Sequence, residues 1–175
     1  MIDEFKEAVN RKYPEGVVFV SAISGEGKPN VMPAGWFMFT SHHPLMVAVS
    51  IGHERYTNQL IKEQGELVIA FPSFEMAADV IITGRKSGRD HDKLGKTSLH
   101  LIHAQKVRPY LIAGALANLE CILQSYHETG DHTIFVGEVV ACRVEGLSRK
   151  RLMNFGMGDF AVAMMDPEAM IRLES

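Results

Sequence analysis

Short apolar blocks rich in β-branched residues, parted by polar turns, dominate the pattern of this chain, and four intervals carry helical spacing instead. Phe5, Ala8 and Val9 fall on one helical face, so residues 3–13 predict a short helix that Pro14 ends. Residues 16–24, Gly-Val-Val-Phe-Val-Ser-Ala-Ile-Ser, read as a strand. The Gly-, Pro- and Asn-dense turn at 25–30 leads to a second strand over 31–40 and a third over 45–51. Their short links make an antiparallel meander the natural expectation. Residues 55–64 predict a helix stopped by Gly65, and residues 66–71 a strand broken by Pro72. Ser73 is placed to N-cap a helix running to about Thr83. Residues 84–98 form a polar loop with room for one helical turn. From 99 to about 145 the pattern is mostly strand around a turn at Thr129-Gly130-Asp131. Beyond 147 it is ambiguous, with helical spacing over 164–173.

Strands gather toward both ends of the chain and helices sit between them. That favours a mainly β fold, an antiparallel barrel with helical insertions, over alternating βαβ units. At 175 residues the chain predicts one domain, with a core over about 14–146 and a C-terminal tail over 147–175.

Charge and composition narrow the function. The chain is 46% hydrophobic and 22% charged with a formal net charge of −3, so no global positive field draws nucleic acid or anionic lipid. An anionic ligand must be held by local donors. No apolar run is long enough to cross a bilayer, and the polar N-terminus lacks a signal sequence, which predicts a cytoplasmic protein. Cys121 and Cys142 lie in strand-like apolar surroundings and read as small core residues. Ten methionines, many near the C-terminus, suit either a core or an interface. No spacing among the eight histidines and two cysteines matches a metal site, so none is expected.

Ser50-Ile-Gly-His-Glu-Arg-Tyr-Thr-Asn-Gln-Leu-Ile61 reads as a strand end, a turn and a helix start. A helix N-terminus offers unpaired N–H groups and partial positive charge. Arg55, the hydroxyls of Tyr56 and Thr57, and the amides around Gly52 would make that spot a seat for a phosphate monoester; Ser50 adds a hydroxyl from the strand end beside Ile51. The alternative is a surface helix with a solvated arginine. Two nucleotide-site imitations fail. Gly25-Glu-Gly-Lys-Pro-Asn30 is followed by a strand rather than a helix, and Gly95-Lys-Thr97 has Asp90 where a P-loop needs its first glycine.

Three further segments join the turn: Asn30-Val-Met-Pro-Ala-Gly-Trp36, Gly84-Arg-Lys-Ser-Gly-Arg-Asp-His-Asp-Lys93 and Gly130-Asp-His-Thr-Ile-Phe-Val-Gly-Glu-Val139. With Leu119-Glu-Cys121, this ordered set resembles the flavin reductase-like FMN-binding family, flavoredoxins included, from about Val17 to Val144. The resemblance implies a split antiparallel β-barrel of the FMN-binding type, commonly a homodimer with the flavin near the subunit interface. It implies FMN as cofactor, NADH or NADPH as co-substrate, and an NAD(P)H-dependent flavin oxidoreductase delivering electrons to free flavin or another acceptor. The alternatives are a flavoredoxin-like carrier reduced by a protein partner and a binding module without cofactor. A partner monooxygenase is left open. Asn30, Val31, Met32, Pro33, Ala34, Gly35 and Trp36 would face the ring system, since Ala34 and Gly35 permit close backbone approach. Arg55, Thr57, Ser50, Gly52 and Lys93 would hold the phosphate, and His132, beside Asp131, would serve the redox face. Pro33 replaces a threonine-like residue of several relatives. The segment from Leu152 to Phe160 lacks a tyrosine found in the family's C-terminal finish.

Overall fold

A computed structural model of the chain describes residues 4–145, 150–156 and 159–163. Its strands are β1 (Glu15–Gly16), β2 (Val18–Ile23), β3 (Pro29–Ala34), β4 (Phe37–His42), β5 (Leu45–Gly52), β6 (Glu66–Phe71), β7 (Leu101–Ile102), β8 (Leu111–Ile112), β9 (Ala117–Thr129), β10 (His132–Val144), β11 (Arg151–Gly156) and β12 (Asp159–Ala163). The helices are α1 (Glu4–Asn10), α2 (Tyr56–Gln64) and α3 (Ala77–Arg85).

Seven of these strands form one antiparallel sheet in the order β3-β2-β6-β9-β10-β5-β4. Its outermost members, β3 and β4, are joined only by Gly35 and Trp36. So short a link reaches roughly 11 Å at full extension, so the sheet has to curl until its edges approach. At the link, the Ser50 N–H donates to the Trp36 carbonyl (2.9 Å), carrying the β4–β5 ladder one pair beyond Phe37 and Val49. This is a split β-barrel.

Strand alternation builds two cores. Val18, Val20 and Ala22 of β2 point inward, against Val47, Val49, Ile51, Leu67, Ile69, Cys121 and Phe135. Leu60 and Ile61 of α2 plug the same interior. Gly65 ends α2 in the left-handed region (φ 69°), its N–H donating to the Ile61 carbonyl (2.9 Å). Val17, Phe19, Val31 and Ala70 form the outward face, covered by Val80 of α3, Ile112, Ala115 and Leu152 of β11. All six residues of β2 are therefore buried, which explains its unbroken apolar run better than a half-exposed strand would.

Several expectations change. The strand over 31–40 is two strands, broken at Gly35-Trp36, and the meander is absent because β3 and β4 lie at opposite sheet edges. The Ser73 side chain makes no capping bond; a single 3₁₀ turn (Phe74–Met76) precedes α3. In place of an ambiguous tail, β11 pairs antiparallel with both β12 and β1. The helical spacing at 164–173 lies outside the described residues. Cys121 is buried, but Cys142 is exposed. No helix among the described residues is long and apolar enough to cross a membrane.

Candidate functional site

The link at 35–36, the end of β5, the start of α2, the β9–β10 turn and the loop after α3 converge on one cavity of about 1010 Å³. Local hydrogen bonds fix the convergence. The Arg55 N–H donates to the Gly52 carbonyl (3.0 Å), and the Asn58 N–H to the Arg55 carbonyl (2.9 Å), so the chain turns from strand into helix within three residues. Buried Asn58 then donates from Nδ2 to the Ile51 carbonyl (2.9 Å), pinning the helix start to the strand end. The His53 N–H donates to the Asp131 carbonyl (2.9 Å), drawing in the turn where Gly130 takes a positive φ of 50°.

One end of the cavity is polar and buried. Asn30, Thr57 and Lys93 are 2%, 1% and 6% exposed. Asn30 Nδ2 donates to Thr57 Oγ1 (2.7 Å), which leaves the hydroxyl proton free for another acceptor, while Asn30 Oδ1 is buried without a donor among the described residues. Lys93 Nζ donates to the Thr83 carbonyl (2.9 Å). Gly88 lies so close over these groups that a Cβ there would overlap Asn30 Oδ1 and stand 3.4 Å from Lys93 Cε. Burial, and then the nearby Arg55 charge, push the Lys93 ammonium down to about 8. Arg55 itself is exposed at the front of this end.

The other end is aromatic. The Trp36 and His132 rings lie 4.7 Å apart between centroids, tilted by 33°. His132 Nδ1 meets Asp131 Oδ1 at 2.6 Å, and that hydrogen bond, with the imidazole's charge, holds the Asp131 carboxyl below its ordinary range. Lys12 Nζ stands 5.4 Å from the Trp36 ring centre and pairs with Glu15, whose carboxylate packs flush on Gly35.

Asn30, Met32, Pro33, Ala34, Gly35, Trp36, Ser50, Ile51, Gly52, Arg55, Tyr56, Thr57, Lys93 and His132 all line this cavity. Val31 does not. It sits on the opposite pleat, fully buried in the outward core with Phe19 and Val80, as the two-residue period of a strand requires. Ile51 lines the cavity from the strand end while belonging to the inner core. Sequence reasoning missed Lys12, Tyr13 and Glu15, which reach the site only through the approach of the N-terminal segment, and Thr83, Lys86, Ser87 and Gly88. The last three sit in the Gly-Arg-Lys-Ser-Gly run that signals a ligand-contacting loop.

Fold and cavity together define a split barrel whose mouth offers buried donors for an anion at one end and a flat aromatic wall at the other. The chain belongs to the flavin reductase-like family: the family's profile, described as flavin reductase like domain, matches residues 10–162. It is 48% identical over 118 residues to an uncharacterized protein of Archaeoglobus fulgidus, covering 67% of each chain. It is 30% identical over 155 residues to a flavin reductase of Pseudomonas putida, covering 88% of each. Among solved structures, the FMN-binding protein of Thermus thermophilus with bound p-hydroxybenzaldehyde matches with a TM-score of 0.78 at 29% identity, covering 86% of each chain.

Proposed function

We propose that the chain binds FMN in this cavity and works as an NAD(P)H-dependent flavin oxidoreductase, with free flavin or another acceptor taking the electrons. The observation that carries the reading is the pairing, in one cavity, of buried cationic and hydroxyl donors with an aromatic wall. The donor set fits a phosphomonoester ligand with a sugar-alcohol chain. Arg55, Lys93, Thr57 and Ser50 would hold the phosphate. The unpartnered Asn30 Oδ1 is a buried acceptor that a ribityl hydroxyl would satisfy. The backbone at Ala34 and Gly35, with the Trp36 ring, would border the ring system. Bound FMN would supply a redox centre able to accept a hydride and release electrons singly or in pairs. The residues around it position ligands and exclude water. His132, hydrogen-bonded to Asp131 and 4.7 Å from the Trp36 ring, would present its imidazole to the bound ring system or to an incoming nicotinamide.

The test is anaerobic mixing of the FMN-loaded protein with NADH and with NADPH. Rapid loss of the flavin's visible absorbance supports the reading. No bleaching by either nucleotide, with reduction by a protein donor instead, transfers the assignment to a carrier. His132→Ala should slow nucleotide oxidation at least tenfold, a typical contribution of one positioned acid–base group being about 10²–10⁴; unchanged turnover removes His132 from the site's chemistry.

We also infer a homodimer. Among the described residues strand β4 is an edge of the seven-stranded sheet, and it carries Met38 and Phe39 at 60% and 49% exposure beside half-exposed Trp36. A second copy covering this edge would also border the cavity at Trp36. Light scattering giving a monomer mass at micromolar concentration would refute this. The family match over 10–162 supports reading the chain as one domain.

A further inference from the structure

We propose that Glu15 and Lys12 are positioning residues for the aromatic wall of the cavity. The Glu15 carboxylate ties the Gly35–Trp36 link to the Lys12 ammonium, and the ammonium fixes the orientation in which the Trp36 ring meets His132. Resting on the flavin reading above, the pair thereby sets affinity for the ligand's ring system and leaves its phosphate untouched.

The N-terminal segment reaches the cavity by a narrow attachment. Helix α1 buries no residue, and β1 adds only two ladder positions, Glu15 opposite Asn154 and Gly16 opposite Met153. Those positions belong to the three-stranded sheet β1-β11-β12, whereas the link joins the two edge strands of the seven-stranded sheet. The Glu15 side chain spans from one sheet to the other. A Cβ at Gly35 would overlap its carboxylate, so glycine is what lets the side chain lie this close to the link. A carboxylate only 17% exposed needs donors. Asn154 Nδ2 donates to its Oε1 (3.3 Å) and Lys12 Nζ to its Oε2 (2.5 Å). The Lys12 side chain is 30% exposed, so this pair is drier than the Arg11–Glu7 pair of the same segment, at 79% and 47%. A partly desolvated, charge-assisted bond holds its geometry better than a pair immersed in water.

The same ammonium stands 5.4 Å from the Trp36 ring centre and 4.9 Å from that of Tyr13. Trp36 needs such a hold. Its carbonyl is tied to the Ser50 N–H, but its side chain is half-exposed on a two-residue link. The ring meets His132 at 4.7 Å and a tilt of 33° on one account and the Lys12 cation on another. A cation placed over an indole is attracted to it, so the carboxylate that keeps the cation there acts on the ring at one remove. A lysine and a glutamate three residues apart would by themselves be an ordinary surface pair. Here one member lies on the backbone of the link and the other on the link's aromatic ring, which makes the pair a clamp on a single dipeptide. Loss of charge at either end releases the ring, and the cavity loses its flat wall.

Trp36 is the only tryptophan of the chain, so its emission reports the wall without any ligand. The experiment measures that emission and its quenching by acrylamide in the full-length, flavin-free protein, and then titrates riboflavin and FMN. The proteins compared are the parent, Glu15→Gln, Lys12→Met, Lys12→Arg and the double variant Glu15→Gln/Lys12→Met. Glu15→Gln keeps the side chain's size and an oxygen for Asn154 but gives up the charge. The expected result is altered emission with stronger quenching in Glu15→Gln and Lys12→Met, and parent-like behaviour in Lys12→Arg. Riboflavin and FMN affinities should fall about three- to tenfold, by the same factor for both. The double variant should lose no more than the worse single variant, because two residues acting as one unit are not additive. Parent-like emission in both single variants, unchanged flavin affinities, a loss confined to FMN, or Lys12→Arg behaving as Lys12→Met overturns the proposal while the flavin reading stands. If the parent binds neither flavin, that reading falls together with the effect on ring affinity, and the tryptophan signal decides by itself whether the pair positions Trp36. Lys12→Met, which touches no core residue, decides if Glu15→Gln does not fold.

Discussion

Truncating Arg55 to alanine separates binding from folding more cleanly than any other change at this site. The guanidinium is exposed and makes no capping bond to α2; the turn is held by the Arg55 backbone, through its N–H to Gly52 and its carbonyl to Asn58. Stability should therefore stay within about 0.5 kcal/mol of the parent, as for surface substitutions generally. Phosphate binding should lose a charge-assisted contact worth about 1.5–3 kcal/mol, which is roughly tenfold to more than a hundredfold in dissociation constant. A second effect opposes the first. Arg55 is part of the reason Lys93 sits near 8, so its removal lets Lys93 hold its proton to higher pH. At pH 7 the lysine is mostly protonated with or without Arg55, and the full loss should appear. At pH 9 the variant recovers lysine charge that the parent lacks, and the loss should shrink. Flavin fluorescence quenching, measured with FMN and riboflavin at both pH values, reads this directly. An unchanged FMN constant refutes the phosphate seat. An equal loss for riboflavin shows that Arg55 touches the ring or its chain instead.

The remaining predictions concern the frame around the site. Leu152→Ala removes a fully buried side chain from the outward core that includes Phe19, Val31 and Ile112, so urea denaturation should show a loss of about 2–5 kcal/mol. A change below about 1 kcal/mol would mean that the β11–β12 pair is not part of the same cooperative unit. Lys93 also predicts a pH dependence. The unfolded chain holds its proton up to about 10.5 and the ligand-free folded protein only to about 8, so the unfolded state binds more protons between these values and stability rises with pH across that window. Lys93→Met should lack that rise, which chemical denaturation at pH 7.5 and 10 would detect; identical slopes in parent and variant would refute the burial argument.

What was legible in the sequence is what local chemistry dictates. Strand β6 was read at its observed bounds, α2 to within one residue, and the turn at Gly130 where it stands, because Gly65, Pro72 and Gly130 punctuate the chain without help from distant residues. The sheet order was not legible. Nothing between Ala34 and Phe37 distinguishes a continuing strand from one that leaves the sheet, since Gly35 permits either and Trp36 suits a strand well. The decision is made at long range, by the Ser50 N–H that takes the Trp36 carbonyl and by the Glu15 carboxylate lying against Gly35. Val31 was misplaced for the same reason: treating 30–36 as one contact segment ignored the pleat, which sends Asn30 toward the cavity and Val31 into the opposite core. Lys12 and Glu15 carried no local signal at all, because their relevance depends on where the N-terminal segment is laid down.

The closure of the barrel and the location of the cavity are one structural event. A closed ladder between β3 and β4 would consume the backbone donors and acceptors along both edges. A two-residue link instead commits the Trp36 carbonyl to Ser50 and lets the Trp36 ring stand half-exposed beside His132. The same gap admits the start of α2, whose Thr57 and Arg55 face Asn30 and Lys93 across the cavity. The donors at one end and the ring at the other are thus supplied by the break that makes the barrel split. A sequence that repaired the break by pairing β3 with β4 would gain ladder hydrogen bonds worth about 0.5–1.5 kcal/mol each and lose the opening at which a ligand can be held.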